Sequence, residues 1–145
     1  MPEFPFHIAV RVRDIDEARH FYGELMGLPE GRSAKDWIDF NLYGHQLVVH
    51  FDPNLGARGQ IQSYANDVDD KSVPIPHCGV VLSLSEWTML KDRVAGFVDN
   101  FVIEPYVRFE GEPGEQATMF FLDPSGNALE FKAFRDIEGS LFATH

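Results

Sequence analysis

At His77 the chain starts over. Its first half opens on a strand, Phe6–Val12, in which Ile8, Val10 and Val12 form an apolar face and His7, Ala9 and Arg11 the other. A helix follows, with Asp14 at the capping position and Glu17 three residues on. Ile15, Ala18, Phe21, Tyr22 and Leu25 recur there at helical spacing before Gly27 and Pro29 end the run. A weak strand near Arg32–Lys35 and two clearer ones, Trp37–Leu42 and Gln46–Phe51, complete the half around a Tyr43-Gly44 turn. From His77 the same order recurs. Cys78, Val80, Leu82 and Leu84 share a face, with His77, Gly79, Val81 and Ser83 opposite. Ser83 or Ser85 caps a helix that carries Trp87, Leu90, Val94 and Phe97 at core spacing. Asn100–Phe109 is a strand that Pro105 marks as an edge or a bulge, and a Gly- and Pro-containing loop spans Glu110–Gln116. The last two strands, Met119–Leu122 and Ala128–Phe134, flank Asp123-Pro124-Ser125-Gly126-Asn127. In that turn Pro124 presets φ and Gly126 can take the positive φ that closes it.

Two βαβββ modules place the chain in the α+β class, each module a curled mixed sheet with its helix on one side and a concavity on the other. The expected organisation is a single domain over 1–145. Module one covers about 5–52, a linker 53–75, module two about 76–134, and a C-terminal tail 135–145. The linker region holds Pro53, Asn54, Gly56, Gly59, closely spaced aspartates, Pro74 and Pro76. It is longer than an ordinary connection, with room for a short helix.

Composition narrows the class of function. At 145 residues and 44% apolar, the chain can bury a real core. No apolar run approaches the ~20 residues of a membrane span, and Met1-Pro2-Glu3-Phe4 lacks the basic and apolar regions of a signal peptide. The lone cysteine, Cys78, excludes an internal disulfide framework, and a cytoplasmic location is expected. A net charge of −11, with Arg58, Arg93, Arg108 and Arg135 scattered, argues against nucleic acid as a partner and leaves a small-molecule substrate.

The chemistry lies on the faces turned from the helices. Glu130 sits between Leu129 and Phe131, pointing away from them, and a buried carboxylate there needs a hydrogen bond, an ion pair or a metal. His7 and His77 occupy equivalent places in the first strand of each half, seventy positions apart. His50 and Glu130 are expected to be equivalent in the last strands, eighty positions apart. Three imidazoles and a carboxylate turned to a common concavity suit one divalent ion: Zn²⁺, Fe²⁺, Mn²⁺ or Ni²⁺. His20, on the polar side of the first helix, His45, in a turn, and the terminal His145 are read as solvated.

The opening FHIAVRVRDIDEARHFYGELMGL and the closing MFFLDPSGNALEFKAF, with the paired modules, resemble the vicinal oxygen chelate superfamily. That group includes glyoxalase I, extradiol dioxygenases, fosfomycin-resistance enzymes and bleomycin-binding proteins. The most specific phrases are D-x-x-x-A-x-x-F-Y (Asp14 to Tyr22) and D-P-S-G-N-x-x-E (Asp123 to Glu130), and the likeness is weakest over Asp52–Pro76. The resemblance implies a glyoxalase/dihydroxybiphenyl dioxygenase-like fold and a divalent metal that chelates two vicinal oxygens of a small substrate, in lyase/isomerase or dioxygenase chemistry. It implies His7, His77 and Glu130 as ligands, with His50 where glyoxalase I has a glutamate, either as a fourth ligand or as an acid/base group. Glu130 would double as the catalytic base. Arg11 and Arg108 would bind a substrate carboxylate, and Tyr106 and Phe120 would also contact substrate. The chain has Phe120 and Phe121 where the ring-cleaving dioxygenases place a tyrosine, so Tyr106 would have to serve instead. The alternative is a non-catalytic, bleomycin-resistance-like binding protein, although those relatives lack the metal ligands. Open sheet edges and Phe4, Phe6 and Phe142 near the ends point to a homodimer.

Overall fold

The computed structural model describes residues 2–144, so His145 lies outside the described residues. The chain forms two compact units: Met1–Tyr64 with Leu122–Asn127, and Ala65–Phe121 with Ala128–His145.

The first unit is a four-stranded sheet of β1 (His7–Val12), β2 (Glu30–Ala34), β3 (Trp37–Leu42) and β4 (His45–Phe51), in the order β1-β4-β3-β2. β1 runs parallel to β4, and the others are antiparallel. The expected alternation decides which face is buried. Val12, Ile38, Phe40, Leu42, Leu47 and Val49 pack beneath the helix, and Tyr22 reaches the Phe40 ring at 5.6 Å between centroids. The hairpin closes at Tyr43 and Gly44, with φ of 52° and 90°, the two left-handed positions that match strand twist in a two-residue turn.

The helix starts as expected and then departs. α1 (Ile15–Ala18) is capped by Asp14, whose Oδ1 accepts from the Glu17 amide at 2.7 Å. Glu17 does not close the capping box; its carboxylate accepts from the Arg13 guanidinium at 2.8 Å. Beyond Ala18 the helix widens into π-type turns over Arg19–Leu25, and the Met26 amide donates five residues back to the Phe21 carbonyl at 2.9 Å. The widening accompanies the burial of two adjacent rings, Phe21 and Tyr22, edge-to-face at 5.0 Å.

The Asp123–Asn127 turn belongs to this unit, although its flanking strands belong to the other. Asp123 is buried and accepts from the Tyr22 hydroxyl at 2.6 Å, the Asn127 side-chain amide at 2.8 Å, and the backbone N–H groups of Ser125 and Asn127. Burial pushes its carboxyl above the ordinary carboxylate range, and these donors oppose the shift. At Gly126, φ is 91°, and a Cβ would meet the Ile61 backbone nitrogen at 2.8 Å.

In the second unit, β7 (His77–Cys78), β9 (Ile103–Arg108), β10 (Gln116–Leu122) and β11 (Ala128–Phe134) run in the order β7-β11-β10-β9, and β8 (Val81–Leu82) also pairs with β11. The single first strand expected for this module is therefore broken. Gly79 packs so closely on the Glu130 backbone that a Cβ there would collide with the Glu130 carbonyl. α2 (Leu84–Ala95) is capped by Ser83 and buries Trp87, Leu90 and Val94 against Phe121, Leu129 and Phe131. The Trp87 indole N–H donates to the Phe131 carbonyl at 2.9 Å. β9 is the sheet edge, with a register shift against β10 between Thr118 and Phe120, as Pro105 foretold.

The linker is more structured than a connection. After a helical turn at Pro53–Leu55, β5 (Tyr64–Val68) and β6 (Lys71–Ile75) form a hairpin whose turn residues Asp69 and Asp70 have φ of 49° and 63°. The tail carries a short α3 (Ile137–Ser140), capped by Asp136. Among the described residues no helix is long and apolar enough to cross a membrane.

Candidate functional site

In the second unit, the pleat of β10 and β11 sends Ala117, Met119, Phe121, Leu129 and Phe131 towards α2 and leaves Thr118, Phe120, Glu130 and Lys132 on the other face. Glu130 is only 10% exposed at its side chain, and both its oxygens are engaged. Oε2 accepts from the Thr118 hydroxyl at 2.6 Å, and Oε1 lies 3.3 Å from His77 Nε2, with Lys132 Nζ at 4.0 Å. The His77 ring stands edge-on to Phe120 at 4.9 Å, and its Nδ1 lies 2.7 Å from the Pro74 carbonyl.

That last contact fixes the tautomer. A carbonyl oxygen can only accept, so Nδ1 carries the proton. In the neutral ring Nε2 then turns a lone pair toward a carboxylate oxygen. Two acceptors facing each other need a cation between them, either a proton or a metal ion.

Beside Glu130 the sheet face opens into a cavity of about 140 Å³. Its apolar wall is Val73, Ile103, Phe120 and the partly buried Tyr106. Its charged groups are Asp69, Lys71, Arg108, Glu130 and Lys132.

A family model described as the Glyoxalase/Bleomycin resistance protein/Dioxygenase superfamily matches residues 5–131. The chain belongs to this superfamily. One similar solved structure is a glyoxalase/bleomycin resistance protein/dioxygenase from Alicyclobacillus acidocaldarius. It is 30% identical, with 95% of this chain and 96% of that one covered and a TM-score of 0.70. The genomically encoded fosfomycin resistance protein of Listeria monocytogenes shares the fold at 16% identity, with 92% and 94% covered and a TM-score of 0.62. Lactoylglutathione lyase of Agrobacterium tumefaciens does so at 18%, with 91% and 94% covered and a TM-score of 0.54. A search of curated proteins finds no match.

For this superfamily member, the expected site residues divide by unit. His77, Glu130, Tyr106, Arg108 and Phe120 are all in the second unit, and the last four line its cavity. His7, Arg11 and His50 are in the first unit, exposed on the sheet face opposite the helix. His7 Nδ1 is 2.6 Å from the Gln46 side-chain oxygen. Arg11 is already paired, its guanidinium 2.9 Å from Asp52 Oδ2. Among the described residues, no group of three or more His, Cys, Asp or Glu side chains is gathered as a metal ion would require.

The equivalence of His50 with Glu130 does not survive the register. In the second unit Ala128 lies opposite His77 and Lys132 opposite Val81, so Glu130 is two positions past its histidine. In the first, Gln46 lies opposite His7 and His50 opposite Arg11. His50 is thus four positions past its histidine, roughly 13 Å along the strand. The place that answers to Glu130 is Val48, which is buried.

Two further differences concern polar groups. His45 is not simply solvated, because its Nδ1 accepts from the Phe6 amide at 2.8 Å. His20 is exposed as expected, 2.8 Å from Glu24. Thr118 was legible as a polar residue on the face shared with Phe120, but its bond to Glu130 needs the β10–β11 register. Lys71 had no sequence signal, since the linker gave no reason to place it over this sheet.

Proposed function

We propose that this protein is a metal-dependent enzyme of its superfamily, acting on a small oxygenated substrate in the cavity beside Glu130. The observation that carries the reading is the His77–Glu130 pair, with Nε2 and Oε1 at 3.3 Å and Nδ1 committed to the Pro74 carbonyl. This donor set fits a divalent ion: an oriented imidazole and a carboxylate steadied by the Thr118 hydroxyl. A divalent ion held there supplies Lewis acidity to two adjacent substrate oxygens, the common ground of lyase/isomerase and dioxygenase chemistry. Glu130 is the residue placed to accept a proton from substrate, Tyr106 and Phe120 give the substrate an apolar wall, and Arg108 supplies positive charge at the rim.

The test is metal-to-protein stoichiometry. Wild type should hold close to one ion per chain, and Glu130→Gln should lose most of it with its circular dichroism unchanged, because the amide keeps the shape but not the charge. His50→Ala should keep full occupancy, a reading supported by His50 lying four positions past the level of His7 in the register. Equal metal content in wild type and Glu130→Gln would remove the metal from this site and favour a binding protein without turnover.

We also propose a homodimer. On the face of β1 and β4 turned from the helix, His7, Ala9, Arg11, Gln46 and His50 are exposed around the buried Val48, and Phe4 and Phe6, just before β1, are 80% and 62% exposed. Light scattering at micromolar concentration should give twice the chain mass; a monomer mass would contradict this.

A further inference from the structure

We infer that the cavity of the second unit selects a small organic carboxylate with an apolar body about one ring in size, and that Lys71 holds the carboxylate. The inference rests on reading this cavity as the substrate site, but not on the metal. Size is the first ground: about 140 Å³ is close to the ~150 Å³ apolar cavity that admits a benzene ring. Val73, Ile103, Phe120 and Tyr106 supply the apolar wall for such a ring.

Charge is the second ground. Two of the three cations at the cavity have a carboxylate nearby, Arg108 with Asp69 at 3.7 Å and Lys132 with Glu130 at 4.0 Å. Lys71 has none within ion-pairing distance among the described residues; its Nζ stands over the Tyr106 ring, 5.2 Å from the centroid. The cavity therefore carries one uncompensated positive charge in a chain whose net charge is −11. Neutralising that lysine would have been easy for so acidic a chain. An ammonium resting on a ring face remains available, since a charge-assisted hydrogen bond to a carboxylate is the stronger contact. A carboxylate beside Lys71 would also set the ring it carries against the apolar wall of the same cavity, which Glu130 lines too.

The experiment compares benzoate with its neutral isostere benzamide by titration calorimetry, on the protein with its metal and after chelator treatment. Benzoate should bind at least tenfold more tightly than benzamide in both forms. Lys71→Met should abolish the difference, and Lys71→Arg should keep it, with metal content unchanged in both variants. Lys71 is exposed, so neither substitution disturbs the core. Should Lys71→Met fail to fold, the wild-type comparison and Lys71→Arg decide together. Equal binding of the two probes, or a preference that survives Lys71→Met, overturns the inference. A preference that vanishes only with the metal overturns it too, while leaving the metal reading intact. A preference that depends on Lys71 in a protein holding no metal does the reverse.

Discussion

Asp52 and Asp123 are carboxylates that their surroundings push in opposite directions. Asp123 is buried, and desolvation raises its pKa despite its donors. Asp52 is lowered, first by the hydrogen bond from Arg11 and then by the Asn54 amide. A depressed carboxyl contributes stability above its unfolded pKa and loses it as the pH falls through the folded pKa. Asp52 should therefore titrate below an ordinary aspartate when its carboxyl is followed by NMR. Arg11→Ala should move it up towards that range, and salt should shrink the difference because the pair is exposed. An unchanged titration in Arg11→Ala would mean that the pair does not form in solution. The same pair gives Arg11, expected to bind a substrate carboxylate, a partner within the chain. From sequence, an arginine on the His7 face pointed to a substrate anion. Asp52, one residue past the end of β4, meets it because parallel pairing brings the ends of β1 and β4 side by side.

At the scale of elements, alternation and capping were legible because they depend on neighbours in sequence. Asp14 and Ser83 cap the helices that they were expected to cap, and Leu47, Val49, Leu129 and Phe131 face inward as their spacing requires. What escaped depends on contacts between distant segments. The π-type turns over Arg19–Leu25 accompany the burial of two adjacent aromatic rings, and a helical periodicity cannot tell them from α turns. The break between β7 and β8 follows from the closeness of Gly79 to the Glu130 backbone. The β5–β6 hairpin lay hidden in a stretch whose prolines and aspartates argued for a connection, yet Asp69 and Asp70 are the residues that tolerate its left-handed turn.

For the whole molecule, the repeat was the most informative feature. It announced two modules and the superfamily, and it drew attention to Glu130 and His77, which lie side by side in the second unit. It misled where symmetry was pressed to the single residue. His50 and Glu130 answer to each other in the text of the sequence but not in the register of the sheets, because Val48 holds the place two past the first histidine's level. The proposed metal centre therefore lies on the second unit's pair. The most direct test is anomalous diffraction from crystals of the metal-loaded protein. A metal centre on this pair should give a peak about 2.0–2.2 Å from both His77 Nε2 and a Glu130 carboxylate oxygen. A peak on His7 or His50 that leaves His77 and Glu130 out of the coordination sphere, or no peak at Glu130 in metal-loaded crystals, would contradict it.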